Sequence, residues 1–390
     1  MKSVKQNKRY SGAVLLVILF VVMAVTVLSM AFMSNAHMQM TCGKNLVDHT
    51  RIDYLAEAGL VHAKTLLLHP QNAATGGDGY WQGGAGLQVE AGDDYYDLTV
   101  TRSISGPTAR CTYDIECRAY RLDGADRTVR GSLAAQLRLD PCIAYWAGAA
   151  AGLPAAVTIN GDVYCAAALN STAAINGDVF AASFTGTSTG QTYAPAQVGV
   201  AFPGVTTAFF SPVYNYGGLF YLPRAVTPAD CNNPPAPFVP DGANPAGILY
   251  YDKALHGGNA LALVGDVTIT GTLVVDGDLT MRDGAVTISP VKNYPALVVN
   301  GNLTIQNAAQ LNASGLMRVN TMTVAQTAGN ITLLGALFVK DAGVAVDGGY
   351  AGDVTVTADP MRSALYSSSM IPPEWSPAAD AFFKYVKRIP

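Results

Sequence analysis

Between Ala13 and Met33 the chain has no charged residue and no proline. A helix rises about 1.5 Å per residue, so this stretch spans roughly 30 Å, the depth of a bilayer core. Lipid offers the backbone no hydrogen bonds, so a single span there has to be a helix. Ahead of it lies a leader, residues 1–12, which carries Lys2, Lys5, Lys8 and Arg9 and no acid. Positive charge stays on the cytoplasmic side, which puts the N-terminus inside and the bulk of the chain across the membrane. Three readings compete for the stretch. A cleaved secretory signal has a shorter apolar core and a small-residue cleavage site, which Ala31-Phe32-Met33 does not supply. A plain anchor fits the length. A pilin-type signal would be cut after Gly12 and leave a mature chain that begins with its own membrane helix.

The helical pattern runs on beyond the apolar stretch. No proline occurs between Ser34 and His69, and apolar or small residues recur at Ile52, Leu55, Ala56, Gly59, Leu60, Ala63, Leu66 and Leu67. Steps of three and four mark one buried helix face. Pro70 is the expected stop, because proline lacks the N–H and clashes with the preceding turn. Residues 13–70 therefore read as one helix, membrane-spanning and then amphipathic.

Two strings on this helix carry a resemblance. Ser11-Gly12-Ala13-Val14-Leu15-Leu16 opens the apolar run, and Ala56-Glu57-Ala58-Gly59-Leu60 follows about 45 residues later. Together they resemble the N-terminal region of PilX-like minor pilins of type IV pilus systems. The resemblance implies cleavage between Gly12 and Ala13 by a prepilin peptidase, N-methylation of Ala13, and contact with pilin or pseudopilin subunits through the N-terminal helix. It also gives Glu57 a role in helix packing within the head, against the plain reading of a solvated helix residue. Major pilins of this kind carry a glutamate at the fifth mature position. Here that residue is Val17, so the resemblance points to an accessory subunit. The first mature residue, Ala13, also departs from the more usual Phe or Met.

Composition narrows what lies outside the membrane. Charged residues make up 13% and apolar residues 50% of the 390, which excludes a disordered ectodomain. The formal charge is −4, and −8 once the leader's four cations are set aside. A mildly acidic ectodomain lacks the clustered Lys/Arg that nucleic acid requires. Of six cysteines, none forms C-x-x-C or zinc spacing. Disulfides suit an exported chain; Cys142 with Cys165 is one pairing across the domain junction, and Cys42 near the membrane reads as free.

Residues 71–150 read as a Gly-rich connector and a small antiparallel meander. Tyr96, Leu98 and Val100 alternate, then Tyr113 and Ile115, then Leu133, Ala135, Leu137 and Leu139 after a turn at Asp123-Gly124. From 151 to 359 a unit recurs: apolar–x–Gly–Asp/Asn–apolar. It stands at Ile159-Asn160-Gly161-Asp162-Val163, Ile175-Asn176-Gly177-Asp178-Val179, Leu263-Val264-Gly265-Asp266-Val267, Val275-Asp276-Gly277-Asp278-Leu279 and Val299-Asn300-Gly301-Asn302-Leu303. Short β-branched strands with one repeated turn chemistry indicate a stacked β-solenoid, parallel β-helix-like, ahead of a β-sandwich. The insertion 186–258 is rich in proline and rings, among them Phe209, Phe210, Tyr214, Tyr216, Phe220 and Tyr221. It reads as a flap on one side of the solenoid, its rings forming either a small core of their own or a surface for a cell-surface or glycan ligand. The tail 360–390 is expected to cap the solenoid, with a short helix from Asp380 to Arg388.

Chemistry is sparse. The repeat aspartates Asp162, Asp178, Asp266 and Asp278 suit turn geometry, each bonding a nearby backbone N–H, and no pair stands out as a catalytic dyad. The calcium-binding nonapeptide pattern does not recur, the five histidines show no i, i+4 pair, and no nucleophile-elbow, Walker or dinucleotide motif occurs. The expectation is an α+β protein: a long N-terminal membrane-spanning helix, a small antiparallel sheet and a β-solenoid. It would have no catalytic residues, cofactor or metal. The function expected is that of a minor pilin-like subunit or pseudopilus accessory. A membrane-anchored adhesin or envelope scaffold is the alternative, and a tethered polysaccharide-active enzyme stands last.

Overall fold

The computed structural model describes residues 11–68, 80–89, 92–103, 111–140, 142–196, 200, 202, 205–211, 213–216, 218–291, 294–341, 343–359 and 380–388. Helix α1, Ser11–Leu68, runs unbroken for 58 residues. It divides by environment. From Val14 to Val47 every residue is exposed, whereas Ile52, Ala56, Leu60, Ala63 and Leu67 are buried. The buried set has the expected period of three and four. Among the described residues α1 is the one helix long and apolar enough to cross a membrane, which fits a single-pass topology with the β-rich mass on one side.

The buried half of α1 packs on an antiparallel sheet of β1 (Gly83–Leu87), β2 (Asp94–Arg102), β3 (Thr112–Asp123) and β4 (Asp126–Asp140), in that spatial order. Alternation places Tyr96, Leu98 and Val100 of β2, Tyr113, Ile115 and Cys117 of β3, and Ala135, Leu137 and Leu139 of β4 in one apolar cluster with the helix. The turn at Asp123-Gly124 is a hairpin, with Asp123 opposite Asp126 and Gly124 at φ 62°.

The fifth strand of this sheet corrects the reading of the tail. Asp380–Arg388 is a strand, not a helix, and it runs antiparallel to β4. The register shifts between Phe383 and Tyr385. That bulge breaks the period of two and left Phe382, Phe383 and Val386 with helix-like spacing. This strand extends the head sheet rather than capping the solenoid. The rest of the expected cap, 360–379, lies outside the described residues, as do residues 1–10, Pro70 and residues 71–79, 90 and 91 of the Gly-rich connector.

The rest of the chain is a three-faced parallel β-solenoid, as the repeated turns indicated. One face comprises, along the stack, Thr192–Tyr193, Val179–Thr185, Asp162–Ser171, Ile143–Ala147, Ile331–Val339, Gln310–Val319, Leu297–Val299, Thr272–Asp276, Ile248–Asp252 and Arg224–Ala225. A second runs from Leu261–Val264 to Val344–Val346. The third joins Val267–Thr270 and Ala285–Ser289 to Val354–Thr357, Val157–Asn160 and Ala174–Asn176 through the first halves of Gln310–Val319 and Ile331–Val339. Those two long strands turn a corner at Gly315 and Gly335. A Cβ on Gly335 would fall into the Gly315 carbonyl, so a side chain cannot be accommodated there.

Stack order is not chain order. The chain enters the solenoid in mid-stack at Ile143–Ala147 and builds outward to Thr192–Tyr193. It then crosses to the far end, where Arg224–Ala225 and Ile248–Asp252 begin the second series of coils. That series works back until Leu337, Phe338 and Val339 pair with Tyr145, Trp146 and Ala147. Val354–Thr357 likewise pairs with Val157–Asn160. The insertion is therefore a crossing between the two ends of the stack. Its Val226, Cys231 and Phe238 join the interior cluster, and its backbone bonds to Val264, Thr268 and Thr270. It thus packs over the end of the stack that begins the second series of coils. Nor do its rings form a separate core: Val205, Phe210 and Tyr214 pack with Ile248, Val274, Val298, Leu316 and Phe338 on the outer side of the first face.

Candidate functional site

Three places bear on function: the helix, its junction with the solenoid, and the turn column. On α1 the string Ala56–Leu60 divides between two sides. Ala56, Gly59 and Leu60 are buried and Glu57 is exposed. Gly59 allows the helix to approach β2 and β3 closely, because a Cβ there would collide with Cys117 Sγ and come within 3.1 Å of Tyr96 Cδ2. Glu57 faces away from this contact, so the helix packs on its sheet without it. Ser11, Gly12 and Ala13 begin the helix.

The solvent side of the same segment carries apolar residues beside Arg51 and Glu57. Val47, Tyr54 and Val61 are 65%, 67% and 56% exposed and lie at steps of seven, which places them along one face. Beside them a shallow groove of about 310 Å³ is lined by Arg51, Tyr54, Leu55, Ala58, Val89, Gly92 and Asp94. An ion network fixes its floor. Arg121 donates from Nε to Asp94 Oδ1 at 2.7 Å and from Nη1 to Asp48 Oδ1 at 2.7 Å, while Arg51 Nε meets Asp94 Oδ2 at 2.6 Å. The Arg121 hydrogen bonds hold the Asp94 carboxyl below its usual range, and the two carboxylates raise the Arg121 guanidinium in turn.

At the junction the head grips the solenoid in mid-stack. Cys142 pairs with Cys111, not with Cys165, and so ties the start of β3 to the first coil. Cys165, Cys117 and Cys231 are buried free thiols, and Cys42 is free and exposed. Burial pushes Cys117 and Cys231 up to about 12, leaving them inert. Arg138 of β4 reaches Asp162 Oδ2 at 3.2 Å and Asp178 Oδ2 at 3.5 Å. Arg102 of β2 reaches the fully buried Asp359 at 3.5 Å. Asp162 also accepts from Cys142 N at 2.7 Å and from Asp178 N at 2.9 Å. Burial nonetheless raises its carboxyl to about 6, against the opposing pull of Arg138 and the two N–H groups.

The repeat aspartates do bond backbone N–H groups, as expected, but those of the next coil. Asp178 Oδ1 accepts from Gln191 N, Asp266 Oδ1 from Ala285 N and Asp278 Oδ1 from Asn302 N, each at 2.8 Å. Asn302 continues the column by accepting from the Thr321 hydroxyl. Each carboxylate therefore serves as a clip between coils, and this arrangement does not aim a pair at a common substrate atom. Among the described residues no group of three or more His, Cys, Asp or Glu side chains is placed to hold a metal ion.

The junction pairs Arg102–Asp359 and Arg138–Asp162 have little signature in the sequence. The partners lie far apart in sequence, and the only local signal is a cation inside an apolar strand. No family model matches the chain, and no curated protein matches it. Among solved structures there is a weak, low-identity match to a type IV pilin. It is the competence-associated pilin ComZ from Thermus thermophilus, at 12% identity over 87% of this chain and 97% of that one, with a TM-score of 0.21, a score that carries no argument.

Proposed function

We propose that the chain is a non-catalytic, PilX-like minor pilin or pseudopilin. In this reading it is an accessory subunit of a type IV pilus or secretion pseudopilus that presents a β-solenoid for filament assembly or adhesion. The observation that carries the reading is the division of α1 into a bare half and a packed half. A bare helix of that length needs lipid before assembly. Afterwards the helices of neighbouring subunits would cover it, continuing along Val47, Tyr54 and Val61. Cleavage by a prepilin peptidase after Gly12 would start the mature chain at Ala13. Glu57, exposed beside that stripe, is then a contact for a neighbouring subunit. Val17 in place of an acid suits an accessory rather than a major subunit. The protein would sit in the inner membrane with its N-terminus in the cytoplasm and its head periplasmic, or outside on the filament.

Mass spectrometry of the membrane-purified protein tests this. The expected N-terminus is Ala13, N-methylated. An intact Met1 would remove the processed-pilin reading and leave an anchored solenoid adhesin or envelope scaffold.

A further inference from the structure

On the third face of the solenoid the strands alternate, and their outward residues align from coil to coil. Thr268, Thr287, Asn312, Thr332, Thr355 and Thr158 stand side by side along the stack. Two residues further along each strand a second column runs beside the first. It opens with Thr270 opposite Ser289, and passes Ser314 and Leu334 to Thr357 and Asn160. These pairings carry no register shift, whereas those that join Ile143–Ala147 and Val179–Thr185 to Asp162–Ser171 do. Thr355 and Thr158 come from opposite ends of the solenoid sequence, so the columns pass from one series of coils to the other without a break. Coil packing alone does not require this choice of residue. On the first face the outward residues in one column are Trp146, Phe338, Arg318 and Val298.

Thr268, Thr270, Ser289, Asn312 and Thr332 are exposed, and neither column contains a charge or a ring. Among the described residues no side-chain hydrogen bond engages Thr268, Thr287, Asn312, Thr332 or Thr355. Coils lie roughly 4.8 Å apart, and alternate residues of a strand about 6.6 Å apart, so these groups form a regular two-dimensional lattice. A hydroxyl donates one hydrogen bond and accepts two, which makes it the side-chain group most like water. The β-branch of threonine restricts its rotamer, so the lattice is held rigid. A crystalline sugar surface calls for rings to stack on, and a mineral surface for carboxylates to meet its cations; the columns offer neither. We propose that the third face is an ice-binding surface. Its hydroxyls and amides take places in the water lattice, whose oxygens repeat on the prism faces of ice at two spacings of this size. The threonine methyls fill the space between them. The proposal is independent of the filament reading, since it concerns only one outer face of the solenoid.

Partition of the full chain, in detergent, into ice grown slowly on a cold finger tests it. The native chain should be enriched in the ice at least fivefold over serum albumin in the same detergent. Thr332→Tyr places a ring that stands out of the lattice and should remove most of that enrichment. Thr355→Tyr should do the same at the seam between the two series, and it keeps the proposal testable if Thr332→Tyr fails to fold. Thr304→Tyr lies on the second face, whose strands carry the exposed Arg282, and it should leave the enrichment unchanged. Native enrichment no greater than that of albumin, unchanged enrichment in the folded third-face variants, or an equal loss in Thr304→Tyr would overturn the site. Retention by cellulose powder without enrichment in ice would overturn the ligand class.

Discussion

The head sheet and the solenoid are both built from strands, but they order them by different means. In the head, each of β1 to β4 lies beside its neighbour in sequence, and a tight turn at Asp123-Gly124 sets the register of β3 on β4. In the solenoid the coils pair in parallel and share one build: aliphatic residues inward and, at several corners, a Gly-Asp or Gly-Asn turn. A coil of that kind can stack on any other. Its place is decided by where the chain is led, and the crossing 194–247 leads it to the opposite end. Local chemistry thus determines the order of β1 to β4 in the head, though not the docking of Asp380–Arg388 beside β4. In the solenoid it determines the coil but not the order of coils.

The seam between Ile331–Thr357 and Ile143–Asn160 is where this difference is most exposed to test. Ile159 is fully buried there, and so is Ile288 within the contiguous series. If the two series form one stack, Ile159→Ala and Ile288→Ala should each cost about 2–5 kcal/mol in chemical denaturation. A near-neutral Ile159→Ala beside a costly Ile288→Ala would mean that the first coils stand apart from the rest.

A second test concerns the junction that joins the two regions. Asp162 titrates at about 6 in the folded chain, above the usual carboxyl value near 3.9. The native state therefore binds this proton more tightly than the unfolded state does. Its contribution is complete below about pH 4 and is lost as the pH rises through about 6, by about 3 kcal/mol at most. Asp162→Asn removes the titration, so the stability of the native chain relative to this variant should fall from pH 4 to pH 7. A rise over that window would show that Arg138 and the two N–H donors outweigh burial, and that the head is held to the solenoid by charge.

The same contrast explains what was legible in the sequence. Period and turn chemistry are local, so α1, the buried set from Ile52 to Leu67, the β2–β4 meander and the solenoid coil could be read directly. The Cys111–Cys142 bond, the mid-stack entry and the strand Asp380–Arg388 depend on which distant segment meets which, and no local pattern encodes that. The tail strand was further disguised by its bulge at Phe383 to Tyr385. At the candidate sites, the buried side of Ala56–Leu60 was legible from spacing. The third-face threonines are visible in the sequence as strand alternation, but their alignment into columns follows only from the register between coils.

The smallest expected effect is at the turn column, and it separates the coil's own stability from its order. Asp278 Oδ1 accepts from Asn302 N, a bond between coils on an exposed edge. Asp278→Ala removes the acceptor but leaves that N–H open to water, so the loss should be about 1 kcal/mol. Asp278→Asn keeps a carbonyl oxygen in place and should recover most of it. A larger loss in both variants would mean that the charge itself matters at the corner. No loss in either would mean that parallel pairing and interior packing hold adjacent coils without the clip. Because Asp266 makes the same exposed bond between coils, matched substitutions there should behave alike. That equality is expected of a stack whose coils are interchangeable.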